Sequence, residues 1–172
     1  MCAEKKNYED STKRKAIFMD RDGVINYNRN DYVKSWDEFE FIPGSIEAIK
    51  KINESNRILI VITNQSPIGR GIFTHDTLYD IHTRMLDELG HLGARIDAIY
   101  YCPHHPDDNC DCRKPKPGLI IRAANDFNID LKNSWMIGDS DSDLAAGSVA
   151  GCKVKKITEE QSLLDLVEQI LD

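Results

Sequence analysis

The sequence predicts an α/β protein built on a central parallel sheet, in a single domain over residues 15–172. Three observations carry this. Short apolar runs of the buried-strand type alternate with segments whose apolar residues recur at helical spacing. Acidic clusters stand where two of the strand-like runs end. No apolar run approaches the ~20 residues of a membrane span. A chain of 172 residues can bury a real core without staples. Its net charge of −7 disfavours broad nucleic-acid or acidic-membrane binding, while leaving room for a local basic pocket.

The elements follow in order. Residues 1–14 carry no apolar signal core and read as a flexible N-terminal arm, so a cytoplasmic protein is expected. "KAIFMD" (15–20) is the first strand, and "PGSIEAIKKINES" a helix opening after Pro-Gly. The β-branched run "RILIVIT" (57–63) is the second strand. Residues 74–90 place Leu78, Ile81, Met85, Leu86 and Leu89 on one helical face, closed by Gly90. "IDAIYYC" (96–102), "SWMIGD" (134–139) and "CKVKKI" (152–157) are further strands, with helices over 117–128 and 141–150. Thr158 and Gln161 give a capping-box signal for a last helix with Leu163, Leu164, Val167 and Ile170 on its apolar face. Repeated βα units imply a parallel sheet covered on both faces.

The acids mark a candidate site. Asp20 and Asp22 stand where the first strand runs out; Asp139 ends another apolar run, with Asp141 and Asp143 following. Such residues also make turns and helix caps. Two clusters at two strand ends, with the polar "TNQS" (63–66) at a third, favour one shared crevice, because ligands of open parallel sheets bind outside the carboxyl ends. Paired carboxylates repel unless a cation joins them, and hard oxygens suit Mg²⁺. An Asp can also attack phosphorus. The transferring group then needs donors and cations, which Thr63, Arg113, Lys114 and Lys116 offer.

"CPHHPDDNCDCRKPKPG" (102–118) gathers three of the five cysteines. Cys102, His104, Cys110 and Cys112 make a closed set of three thiolates and one imidazole, the structural zinc type. His105 is the competing imidazole, and incidental thiols with a surface histidine are the plain alternative. A metal there would fix a long, poorly apolar loop so that Arg113 and Lys114 point into the crevice. Cys2 and Cys152 need no role, and an odd thiol count argues against a disulfide framework.

"DRDGVIN", "VITNQS", "RKPKPG" and "IGDSDSD" stand in the order of the four motifs of the haloacid-dehalogenase (HAD) phosphatase superfamily, which residues 15–157 thus resemble. The resemblance implies a Rossmannoid three-layer fold. It implies Asp20 as nucleophile, Asp22 as general acid then base, and Thr63 and Lys114 holding the phosphoryl group. Mg²⁺ would be bound by Asp20, the backbone carbonyl of Asp22, and Asp139. Asp143 would support that site or cap the following helix, and Arg21 would point away from the chemistry. With "DEFEFIPG", "NQSPIGRG" and "CPHHP…CDCRKPKPG", the chain is similar to the zinc-loop subfamily of heptose-bisphosphate and histidinol-phosphate phosphatases. That subfamily has no large cap domain; short inserts shape the pocket. Carried over by position, substrate contacts are Asn28, Arg29, Asn30, Asp31, Tyr32, Thr63, Asn64, Gln65, Ser66, Arg113, Lys114 and Ser140. The expected reaction is Mg²⁺-dependent removal of the 7-phosphate from a heptose 1,7-bisphosphate by a monomer carrying structural Zn²⁺. Its expected partner is a small phosphorylated metabolite rather than nucleic acid or membrane. Histidinol phosphate is the rival substrate; its amine would want a carboxylate, which Asp31 could supply. A non-catalytic zinc-stabilised interaction module would leave Asp20, Asp22, Thr63, Lys114 and Asp139 unexplained. Two substitutions depart from the subfamily: Pro67 replaces the usual Gly, and Ser140 stands where heptose enzymes often have Lys.

Overall fold

The computed structural model describes residues 13–172. Most of the expected N-terminal arm, with Cys2, lies outside them. Its last residue is tied down: Arg14 N–H donates to the Asn128 carbonyl (2.9 Å), and the Arg14 carbonyl accepts from Asp130 N–H (2.9 Å).

Five strands carry the site: β1 (Lys15–Met19), β2 (Arg57–Asn64), β3 (Ala98–Cys102), β4 (Trp135–Gly138) and β5 (Lys153–Lys156). They pair in parallel in the order β3-β2-β1-β4-β5. β1 is central, and Ala16 to Met19 are all fully buried, as a strand covered on both faces must be. Ile17 and Met19 face α1 (Ser45–Glu54), α3 (His75–His91) and α6 (Leu163–Leu171). Ala16 and Phe18 face α4 (Gly118–Phe127) and α5 (Asp141–Ala150). The result is a three-layer α/β sandwich. A short α2 (Ser66–Gly69) follows β2, and Pro67 sits in its first turn, where a missing N–H leaves no helical bond unmade. The segments after β1 and β3 contain only 3-10 turns at Trp36–Glu38 and Pro106–Asp108, so no large cap is built.

Three local expectations change. α3 runs through Gly90 to His91, and the turn to positive φ comes at Gly93 (φ 76°), so the stop signal is read three residues late. On that helix Leu86 is 38% exposed, and the core face is Leu78, Ile81, His82, Met85 and Leu89. The last capping box is Ser162 with Asp165; Thr158 and Gln161 pair across a turn and delay the helix start.

Candidate active site

The strand order reverses between β1 and β4, and the crevice outside their carboxyl ends is where an open parallel sheet binds ligands. Asp20 follows β1 directly and its N–H bonds the carbonyl of Ile137 on β4 (3.1 Å), so both strand ends are held together. Asp139 follows β4. Gly23 must stay without a side chain here: its φ is +80°, and a Cβ would run into the Asp139 carboxylate.

Lys114 enters the crevice from the loop after β3. It is 3% exposed, and its Nζ donates to the Ile62 carbonyl (2.8 Å) while lying 2.9 Å from Asp20 Oδ2 and 2.6 Å from Asp143 Oδ1. Burial works against its charge, but the two carboxylates outweigh this and hold its pKa above the ordinary value. Asn64 fixes the loop from the other side. Its amide donates to the Lys114 carbonyl (3.1 Å) and accepts from the Lys114 N–H (3.1 Å). Asp143, fully buried, caps α5 with Ser140, as one of its two expected roles requires, and its other oxygen faces Lys114. The Ser140 hydroxyl is engaged in that cap, donating to Asp143 Oδ2 (2.6 Å).

Asp20, Asp139 and Asp143 each bring a carboxylate oxygen within 4.8 Å of the others. Burial raises the Asp20 pKa to about 7; Lys114 offsets part of this, and Asp143 and Asp22 add to it. Burial and then Asp143 raise Asp139 as well. Crowded hard oxygens whose charge one lysine does not balance fit a divalent cation of the Mg²⁺ type.

Asp22 is held differently. Arg21, expected to point away, is 1% exposed and turns its guanidinium onto the Asp22 carboxylate. Nε lies 3.2 Å and Nη2 2.8 Å from Oδ1, and Nη2 lies 3.0 Å from Oδ2. Asn26 donates to Oδ1 (2.9 Å) and Gln65 to Oδ2 (3.0 Å). Burial pushes this carboxyl up, but Arg21 foremost, then Asn26 and Gln65, hold it below the ordinary range. Behind Arg21, Nη1 meets Nε2 of the buried His82 at 3.1 Å. Burial and the neighbouring guanidinium depress the His82 pKa to about 3, so the imidazole is neutral and accepts. Gln65 also donates to Thr63 Oγ1 (2.9 Å), which ties the third strand end to the same network.

Among the described residues, the flap residues Asn28 to Tyr32 make no ion pair with Asp20, Asp22, Asp139 or Lys114. Asn28 to Asp31 are exposed, and Tyr32 takes a positive φ (66°). Asp31 is paired with Lys34 (2.6 Å) and Arg29 (3.3 Å). Ser66 is buried in α2. Arg113 flanks Lys114, and its Nη1 is buried with no hydrogen-bond acceptor among the described residues.

At the carboxyl end of β3, at the same end of the sheet as the crevice, the four predicted soft side chains converge. Cys102 Sγ lies 3.5 Å from His104 Nδ1 and from Cys110 Sγ; Cys112 Sγ lies 3.2 Å from His104 Nδ1 and 3.5 Å from Cys110 Sγ. A tetrahedral ion with sulfur at about 2.3 Å needs donors about 3.8 Å apart, near these separations. All three thiols are free of disulfides. Burial pushes Cys112 up to about 12 and raises Cys102, whereas at Cys110 burial is outweighed by hydrogen bonds with Cys112 and Cys102, which hold it below its ordinary value. His105 is used elsewhere: it accepts from Asp107 N–H (3.2 Å) and caps the following turn. The cluster could hold a soft or borderline metal.

Comparison with known proteins decides the family. A family model described as HAD-hydrolase-like matches residues 111–161. The chain is 42% identical over 140 residues to the D-glycero-beta-D-manno-heptose-1,7-bisphosphate 7-phosphatase of Pseudomonas aeruginosa, covering 81% of this chain and 79% of that protein. It is 43% identical over 148 residues to the same enzyme of Pasteurella multocida, covering 83% and 79%. The chain belongs to the heptose-bisphosphate phosphatase family of HAD-like hydrolases. Among solved structures, the D,D-heptose 1,7-bisphosphate phosphatase of B. bronchiseptica, complexed with magnesium and phosphate, superposes with a TM-score of 0.84 at 37% identity, covering 91% of this chain and 98% of that one. A putative HAD-like phosphatase from Mesorhizobium loti superposes at 0.83 with 28% identity.

In this heptose-bisphosphate phosphatase family member, sequence reasoning missed the grip on Asp22 and the Asn64 clamp. Only His82 left a trace: a polar residue four after Leu78, on the apolar stripe of α3.

Proposed function

We propose that this enzyme hydrolyses D-glycero-D-manno-heptose 1,7-bisphosphate at the 7-phosphate, using Mg²⁺ at the carboxylate cluster and holding Zn²⁺ in the Cys102–His104–Cys110–Cys112 loop. Residues 15–172 are read as one catalytic domain. The observation that carries the chemistry is Lys114 Nζ lodged between Asp20 and Asp143 at the β1/β4 reversal.

In this reading an Asp20 carboxylate oxygen attacks phosphorus as the bond to the sugar oxygen breaks, leaving an acyl phosphate. Asp22 is held below the ordinary carboxylate range in the free enzyme, so in this reading it takes up a proton as the charged phosphoryl group enters the crevice and then gives that proton to the departing oxygen. It then takes a proton from the water that attacks phosphorus and frees Asp20. Lys114 and the Thr63 hydroxyl hold the phosphoryl oxygens. Asp20, the Asp22 carbonyl and Asp139 would hold Mg²⁺, whose chemistry there would be to offset the negative charge of the phosphoryl group. The soft, closed Cys₃His set suits a structural ion and has no open position for chemistry.

Substrate choice rests on kinship and on Arg113. Its Nη1 is buried without an acceptor, and in this reading the guanidinium turns toward a second phosphate when the substrate binds. Asn28 to Tyr32, Asn64 to Ser66 and Ser140 frame the sugar in this reading, several of them by holding neighbours rather than by touching it. The carboxylate that a histidinol amine would want, Asp31, is already paired with Lys34 and Arg29. The test compares kcat/KM for the heptose bisphosphate and histidinol phosphate, then repeats it with Arg113→Ala. The bisphosphate leads in the unmodified enzyme, and the variant loses chiefly that lead. A higher kcat/KM for histidinol phosphate would overturn the substrate while leaving the phosphatase chemistry standing.

A further inference from the structure

We propose that His82 is a positioning residue for proton transfer, holding Arg21 in the orientation that sets the Asp22 carboxyl in place. This rests on the reading of Asp22 as general acid and base.

A guanidinium has five N–H donors in one plane. Arg21 aims one edge, Nε and Nη2, at Asp22. The remaining Nη1 lies in the interior, since Arg21 is 1% exposed, and needs an acceptor that water does not supply. His82 Nε2 is that acceptor at 3.1 Å, presented from the middle of α3, which is anchored in the core by Leu78, Ile81 and Met85. A lone histidine on an apolar face is commonly a core residue whose polar atoms are satisfied. Here its partner is instead the one side chain that forks onto a reacting carboxyl. Without the Nε2 acceptor, the guanidinium would rotate to find another, and the carboxyl it grips would move with it. Asp22 must deliver a proton to one oxygen in line with the breaking bond, and a shift of that carboxyl is costly to rate.

The step His82 supports is balanced: Asp20 oxygen bonds to phosphorus, the phosphorus–alkoxide bond breaks, and the Asp22 proton moves to the alkoxide. An aryl leaving group such as p-nitrophenolate departs without that proton. The value of kcat/KM reports only steps through leaving-group departure, so the ratio of kcat/KM on an alkyl phosphate to that on p-nitrophenyl phosphate isolates proton delivery. It is also indifferent to the fraction of enzyme that is folded. The alkyl substrate is whichever of heptose 1,7-bisphosphate and histidinol phosphate the unmodified enzyme prefers; both release a primary alkoxide.

His82→Leu removes the acceptor, and His82→Asn sets it too far back to reach Nη1; each should lower the ratio about 10-fold or more, within the range general acids supply. His82→Gln presents an oxygen at similar reach and should restore the ratio to within about 3-fold of the unmodified enzyme. Asp22→Asn, the control, should lower it further still. If Asp22→Asn lowers the ratio while His82→Leu and His82→Asn leave it unchanged, or if His82→Gln falls with them, the His82 inference is overturned and Asp22 keeps its role. If Asp22→Asn leaves the ratio unchanged, the reading of Asp22 fails and the inference falls with it.

Discussion

At the scale of single residues, two aspartates separated by one arginine are driven to opposite protonation behaviour by what surrounds them. Asp20 is buried among carboxylates and its pKa rises to about 7, whereas Asp22, gripped by Arg21, Asn26 and Gln65, is held low. The sign for stability follows. Between pH ~4 and ~7 folded, metal-free protein holds a proton on Asp20 that the unfolded chain has released. Stability from this group is therefore present below the ordinary carboxylate range and is lost as pH rises through about 7. A divalent cation favours the charged form and opposes that loss. Thermal melts with and without Mg²⁺ should thus diverge as pH is raised from 5 to 8, Mg²⁺ adding more at the higher pH. A constant difference across that range would mean that Asp20 is not the proton-linked ligand.

At the scale of elements, α5 shows a propensity rule losing to packing. Gly147 lies inside this helix, where Ala would ordinarily be favoured by about 1 kcal/mol. Yet a Cβ there would sit 2.6 Å from Met136 Cβ on β4 and 2.9 Å from Val154 Cγ1 on β5. Overpacking of that kind costs about 1–3 kcal/mol. Gly147→Ala should therefore be destabilising by about 1 kcal/mol net in urea titration, rather than stabilising as at an exposed helical glycine. The same contrast explains how much was legible in the sequence. β1 and β2 announced themselves by unbroken apolar runs, and the acids by standing at strand ends; the four clustered soft side chains were readable from residue types and spacing, with His105 as a competitor for His104. What escaped were contacts between side chains remote along the chain. Arg21 and His82 are 61 positions apart, and Asn64 and Lys114 are 50 apart. Nothing local in "DRDG" reveals a histidine on α3, and an Asn after a strand reads the same whether it touches substrate or clamps a backbone.

At the scale of the molecule, the thiol-rich loop is joined to the reacting centre at several points. Gln65 N–H donates to the Cys102 carbonyl (2.7 Å), Gly69 N–H to the Pro103 carbonyl (2.8 Å), and the Asn64 amide brackets Lys114. Gly69 has no room for a side chain against His104 and His105, so the chain after β2 lies flush on the loop. Cys110→Ser should accordingly lower metal content, stability and turnover together, whereas Asp20→Asn should abolish turnover with metal content in the loop unchanged. The bracket also sets a clock. A chelator would strip an ion from an open carboxylate crevice within the time of mixing, and added Mg²⁺ would restore turnover at once. An ion enclosed by three thiolates and an imidazole would leave only as fast as the loop opens, and each departure would slacken Asn64, Gln65 and Lys114 together. Activity followed in EDTA with excess Mg²⁺ resupplied should therefore show a slow second decay, matched in rate to loss of the enclosed metal and reversed only when that metal is returned.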